Sequence, residues 1–143
     1  TPREAKEIVF RACKRLQIST VLVANMRLQT PAGNALVSAV QVTGEADAAD
    51  RYIVATAAPG DLVVTQDIPL AALLVPSGIV VLDPRGEEHT PESIGERLSI
   101  RNFMEQARGA GMITGGPRPY DARARQAFAG ALDRALVRLL RAR

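Results

Sequence analysis

The chain predicts an α/β fold. Three observations carry that reading. Short β-branched apolar runs alternate with helix-patterned segments through residue 89. Pro, Gly or Asn bounds most of those runs, and the last third, residues 90–143, turns helical. Strands separated by helices imply parallel βαβ units with right-handed crossovers. At 143 residues the length fits a single domain, an α/β core over 1–89 and a helical part over 90–143.

Each element has its own signal. Residues 2–16 carry Ile8, Val9, Ala12 and Leu16 at helical spacing, with Thr1 as N-cap, Pro2 at the first helical position and Glu4 closing a capping box. Residues 20–25 read as a buried strand, and Pro31 and Gly33 mark 26–35 as a loop. A second strand spans 36–43, and a helix over 45–58 opens on Glu45, Asp47 and Asp50, which suit its positive end. Pro59 and Gly60 stop it. Residues 61–65 form the next strand, 68–75 a short helix behind Pro69, and 79–82 another buried strand ending at Asp83. Thr90 to Ser93 signals a helix start, Ser99 a second cap before a helix to Ala110, and Thr114 to Pro117 a turn. The final helix, 121–142, stripes Phe128, Leu132, Leu136 and Leu139 beside Arg134, Arg138 and Arg141.

Composition narrows the chemistry. Apolar residues make up 47% and charged residues 23%, and the longest apolar stretch, 68–75, is too short to span a bilayer. With no secretory pattern at the start, a cytoplasmic location is expected. Cys13 stands alone, which excludes an intrachain disulfide and a thiolate zinc site and marks it as a small core filler. The single histidine, His89, follows Glu87 and Glu88 and reads as a solvated loop residue, so a Ser-His-Asp or Cys-His constellation has little support. No glycine-rich nucleotide cradle is present. Of the net charge of +3, residues 118–143 carry +5; such a basic end suggests phosphate-bearing partners, and a solvated helix face accounts for the same charges.

Acidic residues remain as the chemistry-bearing set. Parallel strands gather their C-terminal ends at one edge, where open sheets place ligands. Asn25, Thr65, Asp67 and Asp83 fall at such ends, with Asp47 and Asp50 in the first turn of a helix. Three residues apart, Asp47 and Asp50 share a helix face. Carboxylates suit Mg²⁺ or Mn²⁺, and such ions activate water for in-line attack on a phosphodiester. Helix capping accounts for the same acidic first turns. Arg85 and Arg101, with Asn25, are placed to hold substrate phosphate, while a turn-stabilising role suits Arg85 and an Asx-type turn suits Asn25 equally well.

Gly44-Glu-Ala-Asp-Ala-Ala-Asp50, Val64-Thr-Gln-Asp-Ile-Pro-Leu-Ala71, Leu82-Asp-Pro-Arg-Gly-Glu87, Thr114-Gly-Gly-Pro117, Val23-Ala-Asn25 and Arg97-Leu-Ser-Ile-Arg101 resemble the YaiI/YqxD family of bacterial proteins of unknown function, relatives of the PIN-like nucleases. The likeness runs in order across nearly the whole chain. It implies a PIN-like three-layer sandwich with a mainly parallel central sheet and a helical C-terminal third. It also implies Mg²⁺ or Mn²⁺ held by Asp47, Asp50 and Asp67, RNA as substrate, and Thr65 orienting Asp67 or the water. The family pattern opens on a strand bearing an acidic pair, which would lie ahead of Thr1 and outside this sequence. The expected function is a metal-dependent phosphodiesterase or ribonuclease. The alternatives are a non-catalytic nucleic-acid or nucleotide-binding module and a structural protein without a metal site; a homo-oligomeric state stays open.

Overall fold

The computed structural model describes residues 1–112 and 118–142. The turn expected at Thr114 to Pro117 lies outside them. The architecture is mixed α/β, and the chain groups into two compact units, Pro2–Ala57 and Ala58–Arg143, the latter with Thr1.

In the first unit, helix α1 (Arg3–Leu16) buries Ala5, Ile8, Ala12 and Cys13. Cys13 is the core filler its isolation implied, only 2% exposed. The anticipated capping box is not formed. Pro2, which has no side-chain oxygen, takes the N-cap position, and its carbonyl accepts from Lys6 N at 3.1 Å. Strands β1 (Thr20–Ala24) and β2 (Val37–Gln41) pair in parallel, Thr20 opposite Val37. The loop between them is tied to α1 by Asn34, whose amide nitrogen donates to the Phe10 carbonyl at 3.3 Å and to the Cys13 sulfur at 3.7 Å. Helix α2 (Ala48–Thr56) begins three residues later than the acidic run predicts, because Gly44 at φ +111° and the adjoining turn delay it.

In the second unit, β3 (Leu62–Val64) and β4 (Val80–Leu82) are parallel, as the βαβ pattern requires, joined through α3 (Ile68–Leu74) and a 3₁₀ turn at Val75–Ser77. A third strand, β5 (Glu88–His89), runs antiparallel to β4 with His89 opposite Val81. At two residues it is too short to register as a periodic pattern. His89 is therefore a buried strand residue, 5% exposed, and not the solvated loop residue expected from its acidic neighbours. The strands thus lie in two small sheets among the described residues, β1-β2 and β3-β4-β5.

One continuous helix, α4 (Ile94–Gly109), replaces the two expected between 90 and 110. Ser99 lies inside it. The start signal is spent at Ser93 and Thr90, where the Thr90 backbone N–H donates to Ser93 Oγ at 3.0 Å and the Ser93 N–H to Thr90 Oγ1 at 3.1 Å. Helix α5 (Ala122–Arg141) is capped by Asp121, whose Oδ1 accepts from Ala124 N at 2.9 Å. Its apolar stripe, Phe128, Leu132 and Ala135 with Ala124 and Ala131, is buried, and the helix contacts β4.

Gly86 fixes how closely α5 approaches the β4-β5 turn. It holds φ +93°, and a Cβ there would sit 2.7 Å from the Ala127 carbonyl oxygen. Both the left-handed backbone and the contact oppose any side chain. Gly86→Ala is expected to cost about 2 kcal/mol or more, toward the upper end for point substitutions, read as a lowered urea midpoint at unchanged slope.

Candidate functional site

The C-terminal ends of parallel β3 and β4 carry Thr65, Asp67 and Asp83. Thr65 continues the ladder, its N–H donating to the Leu82 carbonyl at 3.0 Å. Its Oγ1 accepts from Asp67 N at 3.0 Å, which turns the chain out of the strand. Asp67 is then the N-cap of α3, with Oδ1 accepting from Leu70 N at 2.9 Å and Pro69 in the first turn, where it needs no donor. The cap uses one carboxylate oxygen. Oδ2 forms no hydrogen bond or ion pair among the described residues, and the residue is exposed. A carboxylate held by one oxygen and open at the other is an oriented ligand for a cation.

Asp83 ends β4. Its Oδ1 accepts from Arg85 N at 2.8 Å and Glu87 N at 3.0 Å, and its own N–H donates to the Glu87 carbonyl at 2.9 Å. Arg85, expected on substrate phosphate, has its Nη2 engaged by the carbonyls of Arg118 and Pro119. Its guanidinium also lies 5.9 Å from the centroid of the Tyr120 ring, a cation–π contact. The Tyr120 hydroxyl donates to the Pro84 carbonyl at 2.7 Å. In this arrangement Arg85 clasps the approach to α5. Arg101, on α4, is bonded to Asn102 at 3.0 Å and to Glu105 at 2.8 Å.

The remaining acidic pair belongs to the other unit. Asp47 takes the N-cap position of α2 without capping it, and its carboxylate lies 3.7 Å from Arg51, which also reaches Glu45 at 3.3 Å. Asp50 lies in the first helical turn, half-buried. Asn25, just past β1, is exposed, and its side chain forms no hydrogen bond among the described residues, so the Asx turn is not made. The donors suit a hard cation in kind, being carboxylate and hydroxyl oxygens. Among the described residues no group of three or more His, Cys, Asp or Glu side chains converges as a metal site.

Beside Asp83 lies a polar cluster that sequence reasoning missed. Arg97 pairs with Glu87, and Arg138 Nη2 donates to both oxygens of Glu88, at 3.0 and 3.2 Å. His89 Nδ1 and Arg97 Nε are buried without a hydrogen-bond partner among the described residues. Burial first, then the Arg97 charge, holds the His89 pKa below its ordinary value, against opposing contributions from Asp83 and Glu87. Only the clustering of Asp83, Glu87, Glu88 and His89 hinted at this; the arginines come from residues 10 and 50 positions further on.

A protein-family model described as "Uncharacterized BCR, YaiI/YqxD family" matches residues 1–138. The chain belongs to this family. A UPF0178 protein of Myxococcus xanthus is 57% identical over 98% of this chain and 91% of its own length. UPF0178 proteins of Geobacter metallireducens and Xanthomonas campestris pv. campestris are 52% and 53% identical, over 98% and 96% of this chain and 90% and 85% of theirs. No solved structure matches. No helix among the described residues is long and apolar enough to cross a membrane.

This geometry makes two outcomes measurable. A histidine whose folded pKa lies below its unfolded one binds fewer protons folded than unfolded. Its stabilising contribution is complete above the unfolded value and is lost as pH falls from about 6.5 through the depressed folded value. Urea titrations between pH 7.5 and pH 5, at roughly half-unit steps across that window, are expected to show stability falling toward acid. The corresponding slope is expected to be shallower in His89→Leu. Separately, Asp67→Ala is expected to cost about 1 kcal/mol through the lost cap alone, measured by denaturation without added divalent ions.

Proposed function

We propose that this protein is a divalent-metal-dependent phosphodiesterase of PIN-like type acting on RNA. The observation that carries the reading is Asp67, oriented by its own cap with Oδ2 left outward, beside Thr65 and next to the strand end bearing Asp83. Carboxylates at the C-terminal ends of parallel strands stand where α/β sheets place ligands. In this reading Asp67 binds Mg²⁺ or Mn²⁺, and Asp47 and Asp50 are proposed as further carboxylate ligands. Such an ion would supply charge stabilisation at the phosphate and a more acidic water. Thr65 positions Asp67 through the bond to its backbone N–H. Asn25, Arg85 and Arg101 are the proposed substrate contacts, and the cytoplasm the proposed compartment.

The second reading keeps the fold and drops the chemistry, giving a nucleic-acid-binding module. The basic end of the chain, +5 over residues 118–143, favours it. Mn²⁺ titration by calorimetry separates the two. Saturable binding that Asp67→Asn abolishes, with cleavage of RNA lost in the same variant, is the expected result. Undetectable Mn²⁺ binding by the wild-type protein would sink the enzyme reading. Asn keeps a side-chain oxygen for the cap, so the substitution removes the charge while sparing most of α3's stability.

A further inference from the structure

The outer face of α5 carries a row of arginines, of which only Arg138 is fastened to another element, through Glu88 of β5. Arg134, Arg138 and Arg141 are spaced i, i+4, i+7, so they share one face. All three are exposed. With Asp133 and Val137 they line a shallow cleft of about 350 Å³. Arg138 and Arg141 lie in the last turn, where cations suit the helix dipole. Arg134 lies outside that turn, so the dipole does not account for it. Arg134 and Arg141 form no hydrogen bond or ion pair among the described residues.

Arg138 differs. It holds the Glu88 carboxylate through both oxygens, across 50 residues of sequence. This face therefore already grips one oxyanion. Arg134 to Arg141 spans about 10 Å along the axis, enough to meet more than one phosphate of a backbone. The face offers nothing for unpaired bases to stack on: the one aromatic residue of α5, Phe128, is fully buried. Charge without a stacking platform suits a paired backbone, read through its phosphates.

We propose that the Arg134–Arg138–Arg141 face of α5 docks the phosphate backbone of double-stranded RNA, and that Glu88 is the internal anion which a phosphate displaces from Arg138. The choice of RNA rests on the ribonuclease reading; the face itself does not depend on the metal. Glu88 then acts as a brake, keeping one of three cations occupied until a backbone of higher charge density arrives.

The test is fluorescence anisotropy with a labelled RNA duplex of about 16 base pairs, in EDTA, across roughly 50 to 200 mM salt. Wild-type protein is expected to bind with affinity that falls steeply with salt. The double variant Arg134→Gln/Arg141→Gln is expected to bind about tenfold or more weakly, with the log–log salt slope reduced by about 2. Glu88→Gln is expected to tighten binding a few-fold by freeing Arg138, the opposite of what loss of structure would do. Wild-type affinity in the double variant, weaker binding in Glu88→Gln with its circular dichroism unchanged, or tighter binding of a DNA duplex of the same sequence would overturn the proposal. A failed Mn²⁺ titration beside intact duplex binding would remove the enzyme reading and leave this surface standing.

Discussion

The Asp83 carboxylate is the anchor on which the second unit is organised. One oxygen collects the N–H groups of Arg85 and Glu87 and closes the turn after β4. That closure permits Gly86 its left-handed backbone, brings β5 back alongside β4, and leaves α5 room to lie against the turn. Everything attached to β5 then falls into place. Glu87 meets Arg97 of α4, Glu88 meets Arg138 of α5, and His89 is drawn into the interior. A two-residue strand would be negligible alone. Here it is a junction where both long helices are fastened.

This arrangement separates two kinds of polar residue at the ends of parallel strands. Asp83 turns inward, and its oxygen serves the backbone of its own turn. Asp67 caps with one oxygen and presents the other outward. The difference comes from the segment each strand leads into. After β3 the chain enters a helix, whose first N–H groups need only one acceptor from the cap. After β4 it reverses in a tight turn, and the reversal takes two donors onto a single oxygen. Arg85 shows the same economy on the cationic side, its guanidinium split between carbonyls and the Tyr120 ring.

Much of this was legible in the sequence, for a physical reason: parallel strands flanked by helices are apolar throughout and bounded by punctuation. Residues 62–64 and 80–82 stood out on that account, as did the Asp67-Ile68-Pro69 helix start. The stripe of Phe128 and Leu132 announced α5 by its period. Caps were less readable. Thr1 and Ser99 match the residue preference, yet Pro2 and a continuous α4 prevailed, because capping of about 1 kcal/mol yields to packing of Ile94 and Ala107. The burial of His89 was invisible, since it depends on a pairing with Val81 and on charges from α4. Among the carboxylates, Asp67 was found by its place after a strand. The company it keeps is a matter of tertiary structure, which local spacing does not encode.

The order of the elements along the chain carries a consequence for synthesis. Strand β4 packs against α5, whose Phe128, Leu132 and Ala135 are buried and lie about 40 residues or more further along the chain. The bonds from Tyr120 to Pro84 and from Arg138 to Glu88 close loops of 36 and 50 residues. Contacts of such separation form only after both partners have left the ribosome. The nascent second unit can therefore pack α3 against β4 and α4 early, through Leu70, Ala71 and Leu74, and adds the α5 side of its core only once that helix emerges.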